Sequence, residues 1–137
     1  MILFDHVTKV YGNQQRPALD DVSLEVEKGE FIFLVGPSGS GKSTFLRLVL
    51  REERPTNGSV WVLGKDLNRL SNWKIPAMRR QVGTVFQDFR LLPNKTVFEN
   101  IAFALEVIGK PSSHIKKVVP EVLEVVGLEG AQGCSAG

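Results

Sequence analysis

Residues 36–43 read Gly36-Pro37-Ser38-Gly39-Ser40-Gly41-Lys42-Ser43 and fit the spacing G-x-x-x-x-G-K-[ST]. The residue types suit a polyphosphate. Glycines at 36, 39 and 41 let the backbone curl until successive N–H groups point into one concavity, which cradles anionic oxygens. A helix that starts at the loop adds its unpaired N–H groups and the positive end of its dipole. Lys42 supplies a mobile positive charge for the β- and γ-phosphates, and the Ser43 hydroxyl is a ligand type that suits Mg²⁺. The competing reading is a glycine-rich turn that matches by accident. The motif alone does not choose between a kinase, a GTPase and an ATP-driven motor.

The flanking elements favour the phosphate reading. Phe31-Ile32-Phe33-Leu34-Val35 is a continuous apolar run, expected as a strand buried on both faces. Thr44 to Leu50 reads as the helix that follows the loop. Val22, Leu24 and Val26 alternate with Ser23, Glu25 and Glu27, the period of a half-buried strand. Ile2 to Val10 is a less cleanly alternating strand, Val60 to Leu63 another, ended by Gly64. Pro76 to Arg80 is a short helix, since proline is tolerated in a first turn. Val82 to Phe86 is a further strand leading to Gln87. This order predicts an α/β core.

From Pro93 the pattern turns helical. Thr96 and Glu99 have capping-box spacing. Val97, Ile101, Ala104, Leu105 and Ile108 are expected on one face, with Gly109-Lys110-Pro111 as the stop. Ile115, Val118, Val119, Val122, Leu123 and Val126 predict a second helix capped by Gly127, which Pro120 should bend or split. Residues 131–137 carry no period and read as a tail.

Composition sets outer bounds. The chain has 137 residues, 42% hydrophobic and 23% charged, with a net charge of +2. These values exclude a disordered or collagen-like chain and give no argument for nucleic acid. No apolar run approaches the roughly 20 residues of a membrane span. One cysteine, Cys134, and no basic-then-apolar start lead to the expectation of a reducing, cytosolic setting.

Two further positions narrow the chemistry. Tyr11 follows the first strand, where an aromatic ring can stack on adenine. Gln87 ends the Val82–Phe86 segment, where a neutral amide can touch Mg²⁺ or an attacking water. Together with the loop, these segments resemble the nucleotide-binding domain of ABC ATPases from Ile2 to about Gly130, Tyr11 matching the adenine-stacking aromatic, residues 36–43 the Walker A and Gln87 the Q-loop glutamine. Ala18 to Leu24, Lys28-Gly29-Glu30 and Pro55 to Gly58 resemble connecting phrases of that family. Phe86-Gln87-Asp88-Phe89-Arg90-Leu91-Leu92 and Phe103-Ala104-Leu105-Glu106-Val107-Ile108-Gly109 resemble its cell-division branch.

The resemblance implies an α/β P-loop NTPase fold, with N-terminal antiparallel strands, a RecA-like core and the start of a helical subdomain. It divides the chain at 1–87, 88–130 and a tail at 131–137. It implies ATP and Mg²⁺ as cofactors. Nucleotide contacts would come from Tyr11, Gly36, Pro37, Ser38, Gly39, Ser40, Gly41, Lys42, Ser43 and Thr44, and metal contacts from Ser43 and Gln87. It implies a second ATPase subunit in a head-to-tail pair, and a membrane subunit of FtsX type on the inner face of the plasma membrane. ATP turnover would then drive cell-wall hydrolysis at the division site, without nucleic acid.

The family's LSGGQ signature, Walker B aspartate with its following glutamate, and switch histidine do not occur in this sequence. His6 and His114 are bystanders by position. No catalytic residue is therefore assigned, and the expectation is an incomplete domain from a truncated or frameshifted product or a partial gene model. A non-hydrolytic nucleotide-binding or interaction fragment, the ATPase subunit of an importer or exporter, and a small P-loop kinase are the alternatives. Tyr11 and the Gln87 segment speak against the last.

Overall fold

The computed structural model describes residues 1–12, 16–88 and 90–135. These fall into two compact units, Met1–Thr84 and Val85–Gly137, each with its own apolar core.

The first unit is built on an antiparallel sheet of β1 (Ile2–Lys9), β2 (Leu19–Val26), β3 (Asn57–Val62) and β4 (Lys65–Asp66) in the order β2-β1-β3-β4. The imperfect alternation of β1 has a structural cause. Phe4 and Val7 are three residues apart and would face opposite sides of a regular strand, yet both are buried. His6, at φ 47, sits in a bulge: Phe4 pairs with Leu24 but Val7 with Val22, so β1 spends three residues where β2 spends two. The extra residue returns Val7 to the core face. There Phe4 stacks on Phe45 with ring centroids 4.3 Å apart.

Phe45 belongs to α1 (Lys42–Val49), which lays Leu48 and Val49 on the sheet beside Val60, Val62, Leu67 and Met78. Met78 comes from α2 (Ile75–Arg79), which has Pro76 in its first turn as expected. The C-terminal end of α1 is tied down by two arginines. Arg79 donates Nε to the Leu50 carbonyl at 2.8 Å and Nη2 to the Arg51 carbonyl at 3.1 Å. Buried Arg51 donates Nε to the Leu67 carbonyl at 2.8 Å. The Arg79 cation thus meets the negative end of the helix, where positive charge is favoured. Burial, together with Arg54 and Arg79, pushes the Arg51 pKa down.

Two expected strands are corrected. Phe31–Val35 forms no ladder among the described residues, and all five side chains are exposed, Phe31 at 82% and Val35 at 84%. Val82–Phe86 is likewise not a strand: Val82 packs partly on the core while Val85 is fully exposed. A strand needs a neighbour for its N–H and C=O groups, and the described residues place none beside either run. Every strand pairing among the described residues is antiparallel.

The second unit is a helix pair, α3 (Val97–Val107) and α4 (Ser112–Val125). The capping box forms as read: Thr96 Oγ1 accepts from the Glu99 N–H at 3.2 Å, and Glu99 Oε2 accepts from the Thr96 N–H at 2.7 Å. The buried face of α3 centres on Ala102 with Val97, Phe98, Ile101 and Leu105, while Ala104 and Ile108 are exposed, so the expected face is rotated. Ile115, Val119 and Leu123 of α4 pack against it. Pro120 does not split α4, which is continuous through it because burial on both sides of the proline holds the turns together. Both helices end as read: the Gly109 and Lys110 N–H groups bond Glu106 and Leu105 carbonyls, and those of Gly127 and Leu128 bond Glu124 and Leu123.

The segment read as a patternless tail is held in place as far as Ser135. A short 3₁₀ turn covers Glu129–Ala131. The carbonyls of Gln132 and Cys134 then accept from the N–H groups of Phe98 and Val97, and Ser135 bridges Thr96. These bonds satisfy donors that a helix start leaves unpaired. Ala136 and Gly137 lie outside the described residues, as does Phe89 of the phrase after Gln87.

Candidate nucleotide site

The glycine loop begins directly after the Phe31–Val35 run and ends in α1. Gly41 is the residue before the helix, at φ 92 and ψ 0, in the left-handed region. A β-carbon there would meet the Ala18 carbonyl oxygen, and would lie 2.9 Å from Leu19 Cδ2. The start of β2 therefore abuts the loop so closely that only glycine fits. Ala18 is itself anchored, its N–H bonded to the Lys9 carbonyl at 2.8 Å.

α1 has no side-chain cap. Among the described residues, the N–H groups of Lys42, Ser43 and Thr44 have no protein acceptor, whereas the helical pattern resumes with Phe45 N–H to Gly41 O at 2.9 Å. Bare donors at the positive end of a helix are an anion receptor. The Lys42 ammonium folds back over the same loop. It donates to the Gly36 carbonyl at 2.6 Å, the Pro37 carbonyl at 2.7 Å and Ser40 Oγ at 3.3 Å, one acceptor for each hydrogen. Ser43 is exposed, with its hydroxyl unengaged among the described residues.

Tyr11 is brought to the same place. Its hydroxyl lies 3.4 Å from Oγ1 of buried Thr44, and the Lys9 ammonium sits 4.8 Å from the centre of its ring. Ser38, Gly39 and Ser40 line an open cleft with Arg16, Pro17, Ala18 and Asp20. Arg16 and Asp20 line this cleft although the motif reading did not single them out, because a cleft between a loop and a distant strand leaves no spacing in the sequence. Gln87 belongs to the second unit and is exposed. Close by in the chain, the Arg90 guanidinium lies over the Phe86 ring at 3.6 Å. No cluster of three or more His, Cys, Asp or Glu with metal-site geometry occurs among the described residues. A metal at the loop would rely on Ser43-type oxygen and on the nucleotide itself.

A glycine loop running into the bare N-terminus of a helix, with its lysine over the loop, defines the P-loop nucleotide-binding class. The chain belongs to the ABC transporter family, which matches residues 19–135. It is 59% identical over 130 residues to the cell division ATP-binding protein FtsE of Mycobacterium tuberculosis, and 52% identical over 129 residues to FtsE of Bacillus subtilis. These matches cover 95% and 94% of this chain but 56% of each relative, so the chain spans about half their length. Among solved structures it is similar to a dimeric ATP-binding cassette in a post-hydrolysis state bound to ADP and Pi. That match has a TM-score of 0.86 and 32% identity, and covers 99% of this chain and 62% of that one. The fold is thus a partial ABC nucleotide-binding domain. Among the described residues, no helix is long and apolar enough to cross a membrane.

Proposed function

We propose that this chain binds Mg·ATP through its glycine loop, as the ATP-binding part of an FtsE-like ABC complex. The carrying observation is the set of bare N–H groups on Lys42, Ser43 and Thr44 beneath a lysine held by three weakly competing loop acceptors. Loop carbonyls yield readily to a phosphate, because a charge-assisted bond to an anion is the stronger one. Gly36 to Thr44 would wrap the phosphates and Tyr11 would stack on the adenine. The Ser43 hydroxyl and the Gln87 amide would hold Mg²⁺, which supplies charge neutralisation at the β- and γ-phosphates.

The identity to FtsE supports the finer reading. In it, two such subunits pair and act on a membrane subunit of FtsX type at the inner face of the plasma membrane, in cell division. Hydrolysis by this chain alone is not part of the proposal, since no residue in it is assigned as the catalytic base. The test is calorimetric titration with Mg·ATP, alongside steady-state phosphate release. Binding without release is expected. Lys42→Ala should weaken binding at least about tenfold, since a hydrogen bond to a charged group contributes about 1.5–3 kcal/mol. Undiminished binding by that variant would refute the loop assignment.

A further inference from the structure

We infer that Lys9 is a positioning residue for the nucleotide base: its ammonium covers one face of the Tyr11 ring and so presents the opposite face to adenine. The inference rests on the nucleotide reading above and adds to it the group that sets base selectivity. Three observations carry it. The Lys9 ammonium lies 4.8 Å from the centre of the Tyr11 ring, within reach of a cation–π contact. It is held there by two further bonds, to Glu53 Oε2 and to the Arg54 carbonyl, each 2.9 Å. The Lys9 side chain is only 12% exposed, although the long stem of a lysine ordinarily carries its charge out to water.

The main chain on either side of this lysine is fixed as well. The Val10 N–H donates to Thr56 Oγ1 at 3.0 Å, and the Thr56 N–H donates to the Thr8 carbonyl at 2.8 Å. Both neighbours of Lys9 are thereby tied to the segment after α1 that also carries Glu53 and Arg54. The ammonium, its anchors and its root share one frame. Tyr11 is then held at two points, by the cation over its face and by Thr44 Oγ1, 3.4 Å from its hydroxyl. Thr44 is one of the residues whose N–H is bare at the start of α1, so the ring is set beside the phosphate loop.

A purely structural clip between β1 and the segment after α1 would use the same two oxygens. The ring contact separates the two roles. A ring already held needs no ordering when the base arrives, so that entropy does not weaken binding. A cation on one face also draws π-density toward itself, which leaves the opposite face better suited to an electron-rich purine. Both effects act on the base, and a triphosphate without a base is indifferent to them.

The experiment titrates ATP and inorganic tripolyphosphate, each with Mg²⁺, into the parent chain and its variants by calorimetry. Lys9→Met keeps the stem and removes the charge. It should weaken ATP about three- to tenfold, the range for leaving one side chain to be ordered on binding, and leave tripolyphosphate unchanged. Glu53→Ala, which removes an anchor of the ammonium without touching the ring or the loop, should shift ATP alone in the same direction. In a Tyr11→Ala background, Lys9→Met should change ATP no further. Tyr11 is the only tyrosine of the chain, so its ring resonances in the nucleotide-free chain report its placement and should move in Lys9→Met. Equal losses of both ligands would reduce Lys9 to a structural clip and overturn the inference. So would unaltered ATP affinity in Lys9→Met or Glu53→Ala, a further loss in the Tyr11→Ala background, or unmoved Tyr11 resonances. A parent chain that binds tripolyphosphate as tightly as ATP keeps the loop reading and overturns this inference alone. A parent chain that binds neither overturns both.

Discussion

Replacing Gly41 with alanine should damage the loop in two separable ways. The first is backbone strain: at φ 92 a residue with a β-carbon is held in the left-handed region, at roughly 1–2 kcal/mol. The second is steric. The new carbon would collide with the Ala18 carbonyl and with Leu19 Cδ2, 2.9 Å away. Neither neighbour yields easily, since Ala18 is bonded to Lys9 and Leu19 packs on the core. Overpacking of this kind costs about 1–3 kcal/mol, so Gly41→Ala should lose about 2–5 kcal/mol in all. Gly39 provides the internal control. It also lies at positive φ, +78, but a β-carbon there has nothing within 4 Å. Gly39→Ala should therefore show the strain alone, about 1–2 kcal/mol. Thermal melts resolve this, because 1 kcal/mol moves the midpoint of a unit the size of Met1–Thr84 by about 4–8 °C. Gly41→Ala should melt clearly below Gly39→Ala and lose Mg·ATP binding, as the N-terminus of α1 is pushed off the start of β2. Coincident melts of the two variants would refute the steric argument, and with it the claim that β2 positions the loop.

Other perturbations follow from individual contacts. Tyr11→Ala should weaken Mg·ATP by about 1–3 kcal/mol, the usual value of base–aromatic stacking. Tyr11→Phe, which loses only the 3.4 Å contact to Thr44, should titrate like the parent. Equal losses in both variants would place the role in the hydroxyl instead. Thr96→Ala should cost the second unit about 1 kcal/mol, seen as faster amide exchange at the start of α3. Glu99 sits below its ordinary 4.5 because the Thr96 N–H, then Lys95, bond its carboxylate. Its contribution is therefore full above pH 4.5 and falls away as pH drops through the lower folded value; constant exchange across that window would be contrary evidence. His6 is raised above 6.5 by its 2.8 Å bond to Asp21, with that charge and Asp5 adding to the effect. Its contribution is present below pH 6.5 and is lost as pH rises through the folded value. In an NMR titration, Asp21→Asn should bring the His6 midpoint down, and an unmoved midpoint would remove Asp21 as the cause.

Much of the site was legible because it is local. Glycines at 36, 39 and 41 with Lys42 and Ser43 specify a loop over a few residues, and the capping box at Thr96 and Glu99 closes within one helical turn. The bulge of β1 was visible only as faulty alternation. That Val7 returns to the core required the pairings with β2 and β3. Pro120 does not split α4 because a missing N–H is a local fact, while the packing of Ile115, Val119 and Leu123 against α3 is not. The hold on residues 131–135 uses backbone carbonyls, which every residue type carries, so no side-chain pattern could announce it.

The sequence by itself determined the phosphate loop, its helix, the capped helix pair and membership of a nucleotide-binding class, since each rests on spacings shorter than a few turns. Tertiary structure alone decided that Tyr11 meets Thr44, that Ala18 closes on Gly41, that Arg51 and Arg79 tie down the far end of α1, and that Phe31–Val35 stands bare. The division has one physical reason. Turn and cap geometries are set by residues already joined by the chain, whereas pairing and burial depend on which distant partner arrives. An apolar run has the same composition whether that partner is beside it or not.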